Sequence, residues 1–334
     1  MILSLGKKQN RLPRNDETII GKWNGHRYRV LRLIGRGATG SVYLVERRGV
    51  HFALKISNES MNVSSEVNAL RHFSHLNDAS VGPELIDVDD WTGTGGPPVP
   101  FYVMEYIQGV PFLGYVQDKG SFWLGVLIVQ LLADLEHLHR GGWVFGDLKP
   151  DNLIVTSHPP KARLLDVGGT TKIGRAVKEY TEFYDRGYWG CGLRKAEPTY
   201  DLFSIGMIMI HALYGRRFPK KEGEGLQQLT HQLASFPPLY QRVIKKALNG
   251  TYSSAADMKK ELSSGLSEKV VRQAPKRARS HAATRRRPVH TSRQNKQVRK
   301  KKTKKKLWKT IVKETLWIGV ILSALYVCIL LLYR

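Results

Sequence analysis

The chain has 334 residues, room for one large domain or two smaller ones, and 42% are hydrophobic, enough for a real core. Lys and Arg number 53 against 28 acids, a net charge of +25, but 19 of those surplus charges lie between Lys269 and Lys313, where there is no acid. The two cysteines, Cys191 and Cys328, provide neither a disulfide framework nor metal-ligand spacing, which fits a reducing compartment.

The N-terminus, MILSLGKKQNRLPRNDET, turns polar after five residues, too soon for the apolar core of a signal peptide, and residues 1–27 read as an extension. From 28 to 56 the runs YRVLRLIG, GSVYLVERR and HFALKIS are β-branched or aromatic and divided by glycines, which predicts strands. SSEVNALRHF (64–73) places Val67, Leu70 and Phe73 at helical spacing. GPELIDVDDW and PFYVMEYI predict two more strands, split by the Gly- and Pro-rich TGTGGPPVP. From about 112 the pattern is helical. FWLGVLIVQLLADLEHLHR (122–140) is a long apolar helix stopped by Gly141–Gly142, and further helices are predicted at 201–215, 226–235, 238–248 and 254–262. A small β-rich half (28–107) thus precedes a larger helical half (108–268), with no internal repeat.

Beyond 268 the apolar periodicity stops. Residues 269–306 cannot bury a core and are expected to be disordered when free, so 269–310 reads as a basic tether. LWIGVILSALYVCILLLY (316–333) then runs without a charge. As a helix it would be ~27 Å long, close to the hydrocarbon thickness of a bilayer. It is apolar on every face, with Trp308 and Trp317 near one end and Tyr333 at the other. This predicts a single C-terminal anchor within 311–334 in the cell membrane, with the preceding domain on the basic, cytoplasmic side.

Two stretches carry chemistry. IGRGATGSVYLV sets Gly35, Gly37, Gly40 and Val42 in the pattern G-x-G-x-x-G-x-V. A dinucleotide-binding loop wants a helix after it; here strand-like residues flank both sides, so the loop reads as a hairpin whose glycines let backbone approach phosphates. FALK follows, with Ala53 and Lys55. GDLKPDNLIV (146–155) holds an acid, a base and an amide at Asp147, Lys149 and Asn152 between apolar runs. Phosphoryl transfer to a hydroxyl needs a carboxylate, a cation for the moving phosphate and an amide for Mg²⁺.

Glycine loop, FALK, EYI, GDLKPDN and DVG, in this order, resemble the eukaryotic-type Ser/Thr protein kinase family over about residues 28–265. The resemblance implies an α+β bilobal fold and an enzyme that uses ATP and Mg²⁺ to phosphorylate protein hydroxyls. By that resemblance Lys55 binds the α- and β-phosphates and Glu66 is its partner on the following helix. Gly35, Gly37, Gly40, Val42 and Ala53 belong to the nucleotide site, Met104 to the gatekeeper position, and Glu105 and Ile107 to the hinge that meets adenine. Asp147 corresponds to the catalytic base, Lys149 to the γ-phosphate contact, and Asn152 and Asp166 to the Mg²⁺ ligands.

Several marks depart from the family. Phe145 and Gly146 stand where His-Arg is usual, which removes the arginine that pairs with an activation-loop phosphate. Val167 replaces the commoner phenylalanine in DVG. KAEP (195–198) is not a recognisable Ala-Pro-Glu, and Thr251 stands where an arginine is usual, so the ion pair these normally form is absent at both ends. Thr170, Thr171 and Thr181 are candidate autophosphorylation hydroxyls on a mobile loop. Small-molecule kinases such as aminoglycoside phosphotransferases share Gly-Asp here but usually lack Lys149. A catalytically idle fold is disfavoured because Lys55, Asp147, Asn152 and Asp166 are all present; its strongest form is a membrane-tethered nucleic-acid scaffold.

The tether has two readings. Lys and Arg beside an anchor set topology and touch anionic lipid, and KKKTKKKLWK (300–309) suits that. The upstream APKRARSHAATRRRP extends well beyond that need, and Arg277, Arg279, Arg285, Arg286, Arg287 and Arg293 suit the phosphates of DNA or another polyanion, without sequence preference. A short kinase domain, basic tether and C-terminal anchor together are similar to a sporulation-associated branch of the family. That likeness implies a DNA-responsive kinase that phosphorylates itself, with self-association on DNA as a route to activation.

Overall fold

A computed structural model describes residues 12–273 apart from 38, 58–59, 75–80 and 94–96. The predicted tether beyond residue 273, the anchor and the six arginines assigned to nucleic acid lie outside these residues.

The first half is one antiparallel sheet and a helix. Strands β1 (Thr18–Ile20), β2 (Arg27–Gly37), β3 (Gly40–Arg47) and β4 (Val50–Ile56) precede helix α1 (Ser60–Ser74), and β5 (Leu85–Trp91) and β6 (Val99–Glu105) follow it. The sheet order is β1-β2-β3-β4-β6-β5. Successive side chains of a strand point to opposite faces, and this divides the apolar residues between two cores. Leu54, Ile56, Phe101 and Val103 pack with Tyr28, Val45 and Trp91, whereas Ala53, Tyr102 and Met104 join Val63, Val67, Leu70 and Phe73 of α1. Lys55 has the parity of Ala53, so the strand aims its ammonium toward α1.

Part of the sequence-predicted extension belongs to this sheet. β1 pairs with β2 in the register Thr18↔Arg29, and the turn after it is bonded to β5 through Lys22 N–H to Asp90 O (2.9 Å) and Trp23 N–H to Asp89 Oδ1 (2.9 Å). Asp87 is enclosed by Asn24, His26 and Tyr28, whose Oη donates at 2.7 Å. These bonds join two strands from opposite ends of the sheet order, so the sheet is curled.

The second half is helical. Strand β7 (Val110–Pro111) leads into α2 (Phe112–Lys119) and α3 (Ser121–Arg140), followed by the short strands β8 (Trp143–Val144), β9 (Leu153–Val155), β10 (Ala162–Leu164) and β11 (Thr171–Lys172). Then come α4 (Pro198–Tyr214), α5 (Gly225–Gln232), α6 (Pro238–Leu248) and α7 (Ala255–Gln273). Every residue of α4 from Tyr200 to His211 is buried, which makes it the centre of this half. Among the described residues α3 alone has the length and apolar content of a membrane span, but it buries Leu124, Leu127, Ile128, Leu131 and Leu135 in the core. Two boundaries differ from expectation: α4 begins earlier, with Pro198 at its first turn, and α7 runs to Gln273, past the predicted start of the tether.

Candidate active site

Between the two halves the motif residues converge. Lys55 Nζ lies 2.8 Å from Glu66 Oε1 and 2.7 Å from Oε2, and 3.7 Å from Asp166 Oδ2. Tyr102 Oη donates to Glu66 Oε2 at 2.6 Å. Burial, then the charges of Glu66 and Asp166, hold the Tyr102 phenol well above its usual range, so it stays a donor. Glu66 therefore meets two donors inside the protein, which is what makes a buried carboxylate tolerable. Tyr102 gave no signal in the sequence beyond strand parity.

The glycine loop is the β2–β3 hairpin, with Gly35 opposite Val42 and Gly37 opposite Gly40. Gly40 has φ +154°, and a Cβ there would stand 2.2 Å from Ile56 O, so no side chain fits as the hairpin crosses the end of β4. Ala53 pairs with Leu44 of β3 and Met104 of β6, and is buried with Met104 and Ile107. Glu105 commits its side chain to Arg163 (2.7 and 3.2 Å) and its N–H to Glu84 O (2.8 Å).

On the other side, Lys149 Nζ donates to Asp147 Oδ2 and, at 3.0 Å, to Thr181 Oγ1; the Thr181 hydroxyl donates to Asp147 Oδ1 at 3.0 Å. Asn152 Nδ2 donates to the Asp147 carbonyl at 3.0 Å, which leaves its amide oxygen free to ligate. Asp166 accepts from Gly168 N–H at 2.9 Å through Oδ1 and is about half exposed, 47% for the side chain. An amide oxygen and one open carboxylate form the sparse donor set that suits Mg²⁺ where substrate phosphates supply further ligands. Glu179 is exposed, yet loss of hydration, then the charges of Asp166, Asp147 and Glu66, raise its carboxyl above the usual range.

The backbone before Asp147 is fixed from beneath. Asp201 of α4, fully buried, accepts Phe145 N–H (2.8 Å) and Gly146 N–H (2.9 Å), and His139 Nε2 lies 2.9 Å away. Gly146 has φ +83°, and a Cβ there would meet Gly169 O at 2.8 Å. The arginine missing from this position could not be restored without moving the loop.

One expectation about the following segment needs correction. Thr170 and Thr171 are not exposed loop hydroxyls: both are buried and donate to Val167 O and Gly169 O at 2.8 and 2.9 Å. The family's long-range ion pair, expected to be absent, has local pairs in its place. Buried Asp185 pairs with Arg194 (2.7 Å) and accepts from Tyr200 Oη (2.8 Å), while Arg186 pairs with Glu197 of the KAEP stretch at 2.6 Å. The segment is held by pairs within itself.

Residues 28–285 match the family profile described as "Protein kinase domain". The chain is 50% identical over 273 residues to "Serine/threonine-protein kinase YabT" of Bacillus subtilis, covering 81% of this chain and 80% of that one. It is 27% identical to "Serine/threonine-protein kinase Pkn1" of Myxococcus xanthus and 25% to "Serine/threonine-protein kinase ArnS" of Sulfolobus acidocaldarius, covering 73% and 62% of this chain but only 39% and 40% of those relatives.

Proposed function

The chain belongs to the protein kinase family and is an ATP-using protein serine/threonine kinase, and from that premise we propose how its residues divide the work. Asp147 accepts the proton of the incoming serine or threonine hydroxyl, and Lys149 and Thr181 hold its carboxylate in place. Lys55, fixed by Glu66, binds the inner phosphates of ATP. Gly35, Gly37, Gly40 and Val42 cover those phosphates, while Ala53, Glu105 and Ile107 border the adenine. Asn152 and Asp166 would hold Mg²⁺, which when bound neutralises charge on the phosphates. The observation that supports this reading is that the Lys55–Glu66–Asp166 group and the Asp147–Lys149–Thr181 group adjoin through consecutive glycines, Gly168 against Glu66 and Asp166 and Gly169 against Asp147. Its test is incorporation of label from γ-labelled ATP into a generic basic protein or the chain itself. Labelling abolished by Asp147→Ala and by Lys55→Ala supports it; equal labelling by wild type and both variants contradicts it.

The same proposal extends to the whole chain. Residues 316–333 anchor it in the membrane, and 269–306 bind DNA or another polyanion through phosphates, gathering kinases for activation and autophosphorylation. The support is compositional: an uncharged apolar run and an acid-free basic run. Deleting 272–299 while keeping 300–309 should abolish DNA retention and leave membrane flotation intact. Retained DNA binding with lost flotation would make the tether a lipid device.

A further inference from the structure

The turn after α4, GRRFPKK (215–221), places three cations over three tyrosine rings. Arg216 lies 5.7 Å from the Tyr214 ring, Arg217 5.3 Å from Tyr184 and Lys220 5.6 Å from Tyr188. Such stacking fixes long side chains that would otherwise move freely in solvent. Tyr184 follows Thr181 by three residues, and Arg217 Nη2 donates to Asp151 Oδ2 at 2.9 Å, two residues past Lys149. The row therefore borders the reacting group both through the catalytic loop and through the segment that carries Thr181.

The charges in this row are unevenly compensated. Arg217 is matched by Asp151, and Lys221 by Glu224 at 3.6 Å. Among the described residues neither Arg216 nor Lys220 forms an ion pair, and Lys220 Nζ donates instead to the neutral Tyr188 carbonyl at 2.7 Å. Burial and then the charge of Arg217 depress the pKa of His211, which shares a 2.7 Å hydrogen bond with Tyr184 Oη, so this histidine adds no charge at neutral pH. Arg217 and Asp151 are both open to solvent, at 45% and 62% exposure, and a guanidinium has five donors, so a second carboxylate can join the pair.

We propose that Arg216, Arg217 and Lys220 form a specificity site for acidic side chains flanking the serine or threonine to be phosphorylated, and that Arg217 masks Asp151, which would otherwise repel them. This rests on the assignment of Asp147 and Lys149 to the reacting centre. A nucleic acid fits this row less well. Tyr184 is buried and each of the three rings already carries a cation on one face, which leaves little ring surface for bases, and three cations can neutralise only about three phosphates.

The test uses the full-length chain and peptides that differ only in having Glu, Gln or Lys around one serine. Both kcat/KM and binding of the fluorescent peptides by anisotropy are measured. The Glu peptide should exceed the Lys peptide by about ten-fold, mainly in KM, as expected of a few partly exposed ion pairs. Arg217→Ala bares Asp151 and should collapse or invert that ratio, whereas Asp151→Asn should raise it. The ratio, rather than the rate, is the readout, so a general loss of activity cannot imitate the effect. The double variant Arg216→Gln, Lys220→Gln gives a second route if Arg217→Ala does not fold, and should also lower the ratio. Equal wild-type ranking of Glu and Lys peptides, or a ratio that survives both variants, overturns the proposal. So does a double variant that loses binding to a DNA duplex while its peptide ranking stands. If no peptide is labelled but the binding ratio behaves as described, the specificity site holds and the catalytic assignment fails.

Discussion

Lys55 and Glu66 meet across the space between β4 and α1 with both side chains at least 95% buried, and the carboxylate presents both oxygens to one ammonium at 2.7 and 2.8 Å. Removing one partner strands the other charge in the interior, a change that costs about 3–5 kcal/mol in buried pairs. Glu66→Gln should therefore lower both the melting temperature and the turnover. Tyr102→Phe removes only one of the donors to Glu66 and should cost about 1–2 kcal/mol with smaller loss of turnover. Thermal unfolding and steady-state labelling of the three proteins check this ordering; an equal or larger effect of Tyr102→Phe would contradict it.

Thr181 bridges Lys149 and Asp147 through its hydroxyl. Thr181→Ala should reduce kcat by roughly ten- to a hundred-fold, and Thr181→Ser, which keeps the hydroxyl, should restore most of it. The KM for ATP should change less than kcat, because the bridge holds the base and reaches the nucleotide only through Lys149. A serine variant as impaired as the alanine variant would remove the hydroxyl from the account.

Gly146 sits at φ +83° with Gly169 O in the way of any Cβ. Gly146→Arg, which writes the family's usual residue into the loop, should not create a phosphate-dependent switch. It should destabilise the domain by about 1–3 kcal/mol, as should Gly146→Ala, because the strain is set at the backbone and the first carbon. Melting temperatures of the two variants test this; a stable Gly146→Arg protein would show that the loop has another resting position.

How much of this was legible in the sequence differs from element to element. The hairpin, the long α3 and the strand bearing Lys55 follow from local pattern, and so do the positions of Asp147, Asn152 and Asp166, because each is fixed by spacing within a short motif. Strand β1 was not legible: three residues give no alternation, and the strand exists because its neighbours reach Asp87, Asp89 and Asp90 more than sixty positions away. The end of α7 was missed because LSSGLSEKVVRQ lacks a sustained apolar period, although Leu262 and Leu266 are buried. The pairs Asp185–Arg194 and Arg186–Glu197 span 9 and 11 residues of irregular chain, a separation that no helical or strand period encodes. Thr170 and Thr171 read as hydroxyls on a mobile loop because polar residues after a DVG motif carry no apolar period; here each is satisfied by a nearby carbonyl and buried.

His211 is pushed below its ordinary value of 6.5, by burial first and then by Arg217. Below about pH 6.5 the unfolded chain takes up a proton that the folded chain resists, so the unfolded state binds more protons and stability falls as pH drops toward the folded value. His211→Gln should flatten that part of the profile. Melting temperatures from about pH 7.5 to about 5.5 provide the comparison, and identical slopes in the two proteins would exclude His211 as the source.

The division of labour in the cleft is tested most directly by measuring Mg²⁺·ATP affinity and single-turnover phosphoryl transfer side by side in Asp147→Asn. Asp147 is assigned to the hydroxyl proton and the nucleotide to Lys55, Asn152 and Asp166. The variant should accordingly bind Mg²⁺·ATP within a few-fold of wild type while transfer slows by roughly 10²–10⁴. Transfer at the wild-type rate, or affinity lost in proportion to the rate, would contradict the assignment.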